Sequence, residues 1–430
     1  MSSHPKQIIS FKTTPAVISD RLSQLLTYHN PTTNRTWWVR AVITFWPLPA
    51  NPTNPDYSKL CEAFRAFIQT VDFSQLPLLN NTVSLLTFKL AREDEGILDD
   101  PRFLLPFEEG ECVPAKYFIS LRPYMRCDVV VDRKRIRYPF LDRRHRDLPK
   151  FHHSRLENTV EIDSAVQGVT IDGKKYVHKI IKRANYYPAD TKHILDEIDA
   201  YVQFRGVPHI AQLVGIVVSE NPYRTHPRAA STPGNMAEVI IGLLLPFYPN
   251  GTLASILRRN VPHQHVYHQP TSTFFNFASF FGEQVADTIP PFDRRLFEWA
   301  RQVCKGLISM HNAGRPHVDV KTTNVLLDEK LNALLIDISG TSGWTWEFLS
   351  PEMDALLSHS NDDEVDLKKI PFDIRVGTDC WAFGKLLQSL YRRSSGGKEA
   401  VRLLEVASRL TADDPGDRIS LADALVMLNI

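Results

Sequence analysis

The residues whose types and spacing could do chemistry lie between His317 and Glu352. Asp319 is followed by Lys321 two positions on and by Asn324 five positions on, just ahead of the apolar Val325-Leu326-Leu327. A second acid, Asp337, stands directly after another apolar run, Leu334-Leu335-Ile336. Magnesium-assisted phosphoryl transfer needs such a set. One carboxylate orients the attacking hydroxyl and a cation meets the transferring phosphate. An amide oxygen and a second carboxylate hold the metal.

The ordered string His317-x-Asp319-x-Lys321-x-x-Asn324, then Asp337, then Ser350-Pro351-Glu352 resembles the catalytic and metal-binding loops of the protein kinase superfamily, in its serine/threonine-type members. The resemblance implies Asp319 as catalytic base, Lys321 on the transferred phosphate, and Asn324 and Asp337 as metal ligands. It implies ATP with Mg2+, or Mn2+ in its place, as cofactors, and a protein substrate that the sequence does not identify. It covers about residues 155–430, with a small lobe over 155–248 and a large lobe over 249–430. The layout as a whole resembles fungal kinase-domain proteins.

Other elements must bring charge and an adenine slot to this loop. Two strands joined by Asp172-Gly173, a strong hairpin signal, end in Tyr176-Val177-His178-Lys179, which resembles the family's Val-Ala-Ile-Lys strand. The resemblance places Lys179 on the α/β-phosphates and Val177 beside the adenine. The helix expected over 191–204 offers Glu197 as the ion-pair partner of Lys179. Glu197 shares a face with Tyr201, whereas Asp196 and Asp199 lie off that face. Phe247 and Tyr248, after an apolar strand over 239–245, resemble the hinge that binds adenine through its backbone. Leu326 completes the expected nucleotide site. Gly168 and Val169 are expected over the phosphates and adenine, Gly168 as the third position of a glycine-rich loop whose first two positions fall on Asp163 and Ala165. The loop is thus degenerate, because glycine is what lets a backbone approach phosphate closely. Asp379 is expected to cap a helix and bind the catalytic-loop backbone, and Arg418 to pair with Glu352. Where many kinases carry an arginine to bind a phosphorylated activation segment, this chain has Val318. Thr341, Ser342 and Thr345 are the candidate phosphosites before Ser350, and activity independent of phosphorylation there is expected.

The fold class expected is α+β, a bilobal kinase-like domain preceded by a small α+β domain over 1–130. In that domain, strands are expected over 36–45, 83–90, 117–121 and 128–131, and a helix over 56–71. No catalytic constellation stands out there. Residues 131–154 are expected as a basic linker, and residues 155–430 are expected to fold without what precedes them. Arg133 to Arg146 alternates basic residues with Tyr138, Pro139 and Phe140. This offers contact with an acidic partner, against the competing reading of a solvated face. His145-Arg146-Asp147-Leu148 imitates a catalytic loop, but Pro149 and His152 stand where lysine and asparagine are needed. Residues 261–289 and 361–366 are expected as surface insertions.

The chain has 430 residues and a formal charge of +1, which argues against general nucleic-acid binding. Five scattered cysteines without a Cys-x-x-Cys pair suggest neither a disulfide framework nor a zinc site. No apolar run is long enough to span a membrane, and the start has no apolar signal core, so an intracellular location, cytoplasmic or nuclear, is expected. Three functions compete: an active serine/threonine-type protein kinase, a pseudokinase scaffold that binds partners without catalysis, and a small-molecule phosphotransferase of the aminoglycoside/choline-kinase type. Lys321, Ser350-Pro351-Glu352 and the Asp379 region fit the first better than the third.

Overall fold

The computed structural model describes residues 7–18, 21–44, 56–90, 104, 118, 125–163, 165–181, 186–226, 238–259, 292–341, 343–358 and 365–429. They form a mixed α+β protein in two compact units. One holds residues 1–135 with 220–239, and the other holds 136–219 with 240–430. The expected insertion over 261–289 and most of that over 361–366 lie outside the described residues, as does the strand expected over 117–121 apart from Phe118.

The first unit is built on β1 (Ile8–Phe11), β2 (Ala16–Ile18), β3 (Arg21–Asn30), β4 (Arg35–Thr44), β5 (Val83–Leu90) and β6 (Met125–Val131). The sheet order is β1-β3-β4-β5-β6, with β2 also on β3. β4 and β5 are parallel, so the chain must cross over between them, and helix α1 (Asp56–Gln69) lies in that connection. Phe64, Phe67 and Ile68 of α1 bury themselves with Leu26, Val39, Ile43, Leu86 and Phe88 of the sheet. Asn81 and Asn221 tie the 220–226 segment to this unit, since Asn81 N–H donates to Thr225 Oγ1 (2.8 Å) and Asn221 Nδ2 donates to Asn81 O (2.9 Å). That segment falls in the middle of the region expected to fold on its own.

The second unit opens with a sheet of β7 (Lys150–His152), β8 (Glu157–Asp163), β9 (Val166–Ile171), β10 (Lys174–Ile180), β11 (Gly215–Ser219) and β12 (Val239–Pro246), in the order β7-β11-β12-β10-β9-β8. Helix α2 (Pro188–Gln203) follows β10. The rest is mainly helical: α3 (Leu253–Arg259), α4 (Phe292–Asn312), α5 (Pro351–Ser358), α6 (Phe372–Tyr391), α7 (Lys398–Leu410) and α8 (Leu421–Asn429). A two-stranded ribbon, β13 (Val325–Leu327) with β14 (Ala333–Leu335), sits among them. One apolar core runs through this unit, from Ile198 and Tyr201 through Trp299 and Leu307 to Phe383 and Leu403. Cys61, Cys127, Cys304 and Cys380 are free thiols.

Two expectations are corrected here. The basic segment is not a loose linker. Lys150–His152 pairs in parallel with β11, and Ile136, Tyr138 and Leu141 pack on the core of the second unit. The second unit therefore begins at 136, ahead of 155. Asp379 is not a helix cap, because α6 starts earlier, at Phe372.

His178 on β10 is buried, and neither ring nitrogen has a hydrogen-bond partner among the described residues. Gly242 on the paired strand leaves it room, since a Cβ there would come within 2.6 Å of His178 Nε2. Burial pushes its pKa down from 6.5 to about 4. The folded protein thus keeps the ring neutral while the unfolded chain takes a proton below about pH 6.5. Stability is lost as pH falls toward 4. Replacing His178 with Leu should remove this loss, so the stability gap between variant and wild type should widen in the variant's favour by about 2 kcal/mol between pH 7 and pH 5. Urea unfolding at the two pH values measures it.

Candidate active site

Strand β10, helix α2 and the turn after β14 bring together three groups distant in sequence. Lys179 Nζ lies 2.6 Å from Glu197 Oε2 and 2.7 Å from Asp337 Oδ1. Glu197 is 2% exposed and Asp337 is 37% exposed, so the cluster has a buried end and an open one. Burial works against the Lys179 ammonium, but the charges of Asp337 and Glu197 outweigh it and hold its pKa above the ordinary lysine value. Burial works against the Asp337 carboxylate too, and Lys179 more than offsets it, with His317 and Lys321 adding to the effect, so its pKa falls. Tyr201, one turn beyond Glu197 on α2, has its phenol pushed well up by burial and by the same carboxylates.

The loop between α4 and β13 supplies the second cluster. Lys321 Nζ is 2.6 Å from Asp319 Oδ2. Asn324 Nδ2 donates to Asp319 O (2.9 Å) and Oδ2 (3.0 Å). One buried carboxylate fixes this loop: Asp379 accepts from His317 N–H and Val318 N–H, each at 2.7 Å, and bonds His311 Nε2 at 2.8 Å. His317 Nε2 in turn donates to Ile336 O (2.9 Å), which links the loop to the residue before Asp337. Val318 and Asp337 both have positive φ, 69° and 58°, uncommon for non-glycine residues and least tolerable for a β-branched one.

Thr345 joins this cluster, although its expected role was only as a phosphosite. Its hydroxyl donates to Asp319 Oδ1 (2.8 Å) and accepts from Lys321 Nζ (2.7 Å). No local pattern around Thr345 announces this. It follows from the chain after Asp337 folding back over the loop, where Val318, Leu349, Met353 and Leu357 make a separate apolar cluster. Farther along, Arg418 grips Glu352 with two bonds of 2.6 and 3.0 Å.

The expected nucleotide-site residues divide. Val177 lies on the Lys179 face of β10, and Gly168 pairs directly with Val177. Val169 is corrected: it pairs with Tyr176 and is buried with Ile171, Val217 and Leu244 on the opposite face of the sheet. Val166, which pairs with Lys179, occupies the face expected for it. The β8–β9 connection is tight, with Asp163 paired to Val166. Gly168 is therefore a mid-strand residue, and no glycine stands at the tip. Phe247 and Tyr248 follow β12 directly, and Tyr248 packs on the core. Leu326 is half-buried and turned the other way from its buried neighbours Val325 and Leu327.

Asn324 spends its Nδ2 on Asp319, and its backbone carbonyl accepts from Ile336 N–H (3.1 Å), one residue before Asp337, so its Oδ1 and the Asp337 carboxylate are two oxygen donors that a metal could use. Such a pair suits Mg2+, which takes one or two protein oxygens plus phosphate and water. Among the described residues no group of three or more His, Cys, Asp and Glu is placed to hold a metal ion by itself. No described helix is long and apolar enough to cross a membrane. Compared with known protein families and with curated proteins, the chain matches none.

Lys179→Met should leave Glu197 as an uncompensated buried charge and cost roughly 3 kcal/mol in urea unfolding. Adding Glu197→Gln to that variant should restore most of the loss, because the unpaired charge is then gone.

Proposed function

We propose that the second unit is a bilobal, protein-kinase-like domain that transfers the γ-phosphate of ATP to a serine or threonine hydroxyl of a protein. The observation that carries this reading is the meeting of Lys179 with Glu197 and Asp337, the last 158 residues away in sequence, beside an Asp319–Lys321–Asn324 cluster. The β7–β12 sheet with α2 is the small lobe, and the chain from α3 onward is the large one. Bound Mg2+ and ATP supply the activated phosphoryl group and part of its charge compensation. Lys179 orients phosphate oxygens, with Glu197 holding its ammonium in place. Asp319 accepts the proton of the attacking hydroxyl, and Lys321 faces the transferred group. Asn324 and Asp337 would hold the metal.

A second reading, a scaffold without turnover, draws on the glycine-free β8–β9 tip, where Asp163 stands near the expected phosphates. Labelling with radioactive ATP in Mg2+ or Mn2+ separates the two. Asp319→Asn should keep nucleotide binding and lose turnover by a factor on the order of 10². Asp337→Ala should weaken Mg2+-dependent nucleotide binding itself. Wild-type protein that shows no thermal shift with Mg-ATP and labels no protein would rule out the enzyme.

Val318 is buried against Leu349 and Met353, and it has no charge with which to bind a phosphate. Phosphatase treatment should therefore leave the transfer rate unchanged. A large drop traced to Thr341, Ser342 or Thr345 would contradict this.

A further inference from the structure

Helix α2 presents adjacent carboxylates to different partners. Glu197 turns inward to Lys179, Asp196 meets Lys368 Nζ at 2.7 Å, and Asp199 turns outward to the segment 136–149. That segment runs along the outside of α2. At one end Thr191 Oγ1 donates to Arg137 O (2.7 Å), and Arg137 N–H donates to Tyr186 Oη (3.0 Å) just before the helix. At the other end His145 Nε2 donates to Asp199 Oδ1 (3.0 Å). Thr191 and Asp199 lie about 12 Å apart along the axis, and Glu197 falls between them. The segment is itself anchored twice to the sheet. Pro139 O accepts from Ile240 N–H (2.8 Å), and Pro149 O accepts from Ile216 N–H (2.9 Å) just before β7 adds to β11.

His145 is the centre of this contact. It is 1% exposed, and its Nδ1 lies 3.0 Å from Asp142 Oδ1, at an angle poor for a hydrogen bond. Asp142 also caps the short turn that carries it, accepting from Arg144 N–H and His145 N–H. Leu148, three positions on, is buried in the core with Ile194 and Ile198 of α2. The tetrapeptide that imitates a catalytic loop thus has a packing role: His145 and Leu148 point in, and Arg146 and Asp147 point out.

We propose that residues 136–149 act as an intramolecular clamp on α2, and that His145 is a positioning residue, acting through Asp199 to keep Glu197 on Lys179. A helix that delivers one half of an ion pair can slide or tilt. Here a covalently attached segment holds it from outside, where a separate partner or a phosphorylated loop would otherwise have to. The consequence for activity rests on the phosphotransferase reading, whereas the consequence for helix motion does not.

The test uses the full chain with His145→Ala, Asp199→Ala, the double variant, and Arg146→Ala as an exposed control. Hydrogen exchange of the α2 amides should rise roughly tenfold in each single variant, the scale of a lost hydrogen bond to a charged group. Arg144 Nη1 also reaches Asp199 Oδ2 (3.3 Å), so the double variant should add little beyond Asp199→Ala, which releases both partners. Exchange in α4 and α6, and all exchange in Arg146→Ala, should stay unchanged. His145→Gln, which keeps a donor, should restore part of the protection. If transfer activity is present, KM for ATP should rise in step with α2 exchange. Unchanged α2 exchange in both single variants would overturn the clamp, as would a rise shared equally by α4 and α6. A wild type without transfer activity would overturn the phosphotransferase reading alone, because exchange still judges the clamp. Asp199 is part-exposed, so its variant keeps the test valid even if His145→Ala does not fold.

Discussion

The Lys179 ammonium held between Glu197 and Asp337 is the constraint on which the rest of the second unit depends. Burying one cation with two carboxylates leaves a formal deficit of one positive charge, and a low-dielectric site tolerates that poorly. The structure moderates the cost by leaving the Asp337 end open to solvent while closing the Glu197 end. The open end is where a divalent cation with a polyphosphate would enter on the proposed reading. Because the three partners come from a strand, a helix and a turn, each of those elements must be fixed independently. β10 is fixed by pairing with β9 and β12, and α2 by its core face and by the strap of residues 136–149 along its outer side. The turn is fixed through His317 to the backbone of Ile336.

The Asp319 loop solves a different problem. It carries a valine at φ 69°, a conformation that costs such a residue of order 1–3 kcal/mol. Asp379 offsets this by accepting two backbone N–H groups in a buried site, where charge-assisted bonds are strong. The Val318 side chain adds apolar contacts with Leu349 and Met353. An apolar residue there ties the loop to the following segment by packing. A charged one at the same position would need a counter-charge from that segment.

How much of this was legible in the sequence depended on whether local pattern decided the outcome. Asp319, Lys321, Asn324, Asp337, Lys179 and Glu197 stand out by type and spacing, and the structure brings them into two adjoining clusters. Val169 was misplaced although the sequence held the answer. The two-residue Asp172-Gly173 turn pairs Ile171 with Lys174, so Gly168 must oppose Val177 and Val169 must oppose Tyr176, on the other face. Strand β3 went unassigned because Leu22, Leu25 and Leu26 have helix-like spacing, and only pairing with β4 along its length overrides it. The strap was hidden for another reason. Its basic residues look solvated, and the buried ones, His145 and Leu148, are too few to show a period. The role of Thr345 and the attachment of 220–226 to the first unit are tertiary facts with no local signature.

The glycine-free hairpin tip bears most on how such a site would hold a nucleotide. A glycine-rich loop contributes backbone N–H groups that approach phosphate closely, and its value lies in geometry more than in charge. In this chain the β8–β9 turn is tight, and its residues carry side chains, Asp163 among them. Phosphate compensation would then fall to point charges, Lys179 and the metal held by Asn324 and Asp337. Point charges neutralise phosphate without fixing its orientation as a cradle of amides does. A site built this way should depend more steeply on the metal, and on the position of the helix that steadies Lys179, than one covered by a glycine loop. On the proposed reading, the segment behind α2 and the exposed face of Asp337 would therefore matter more than the hairpin.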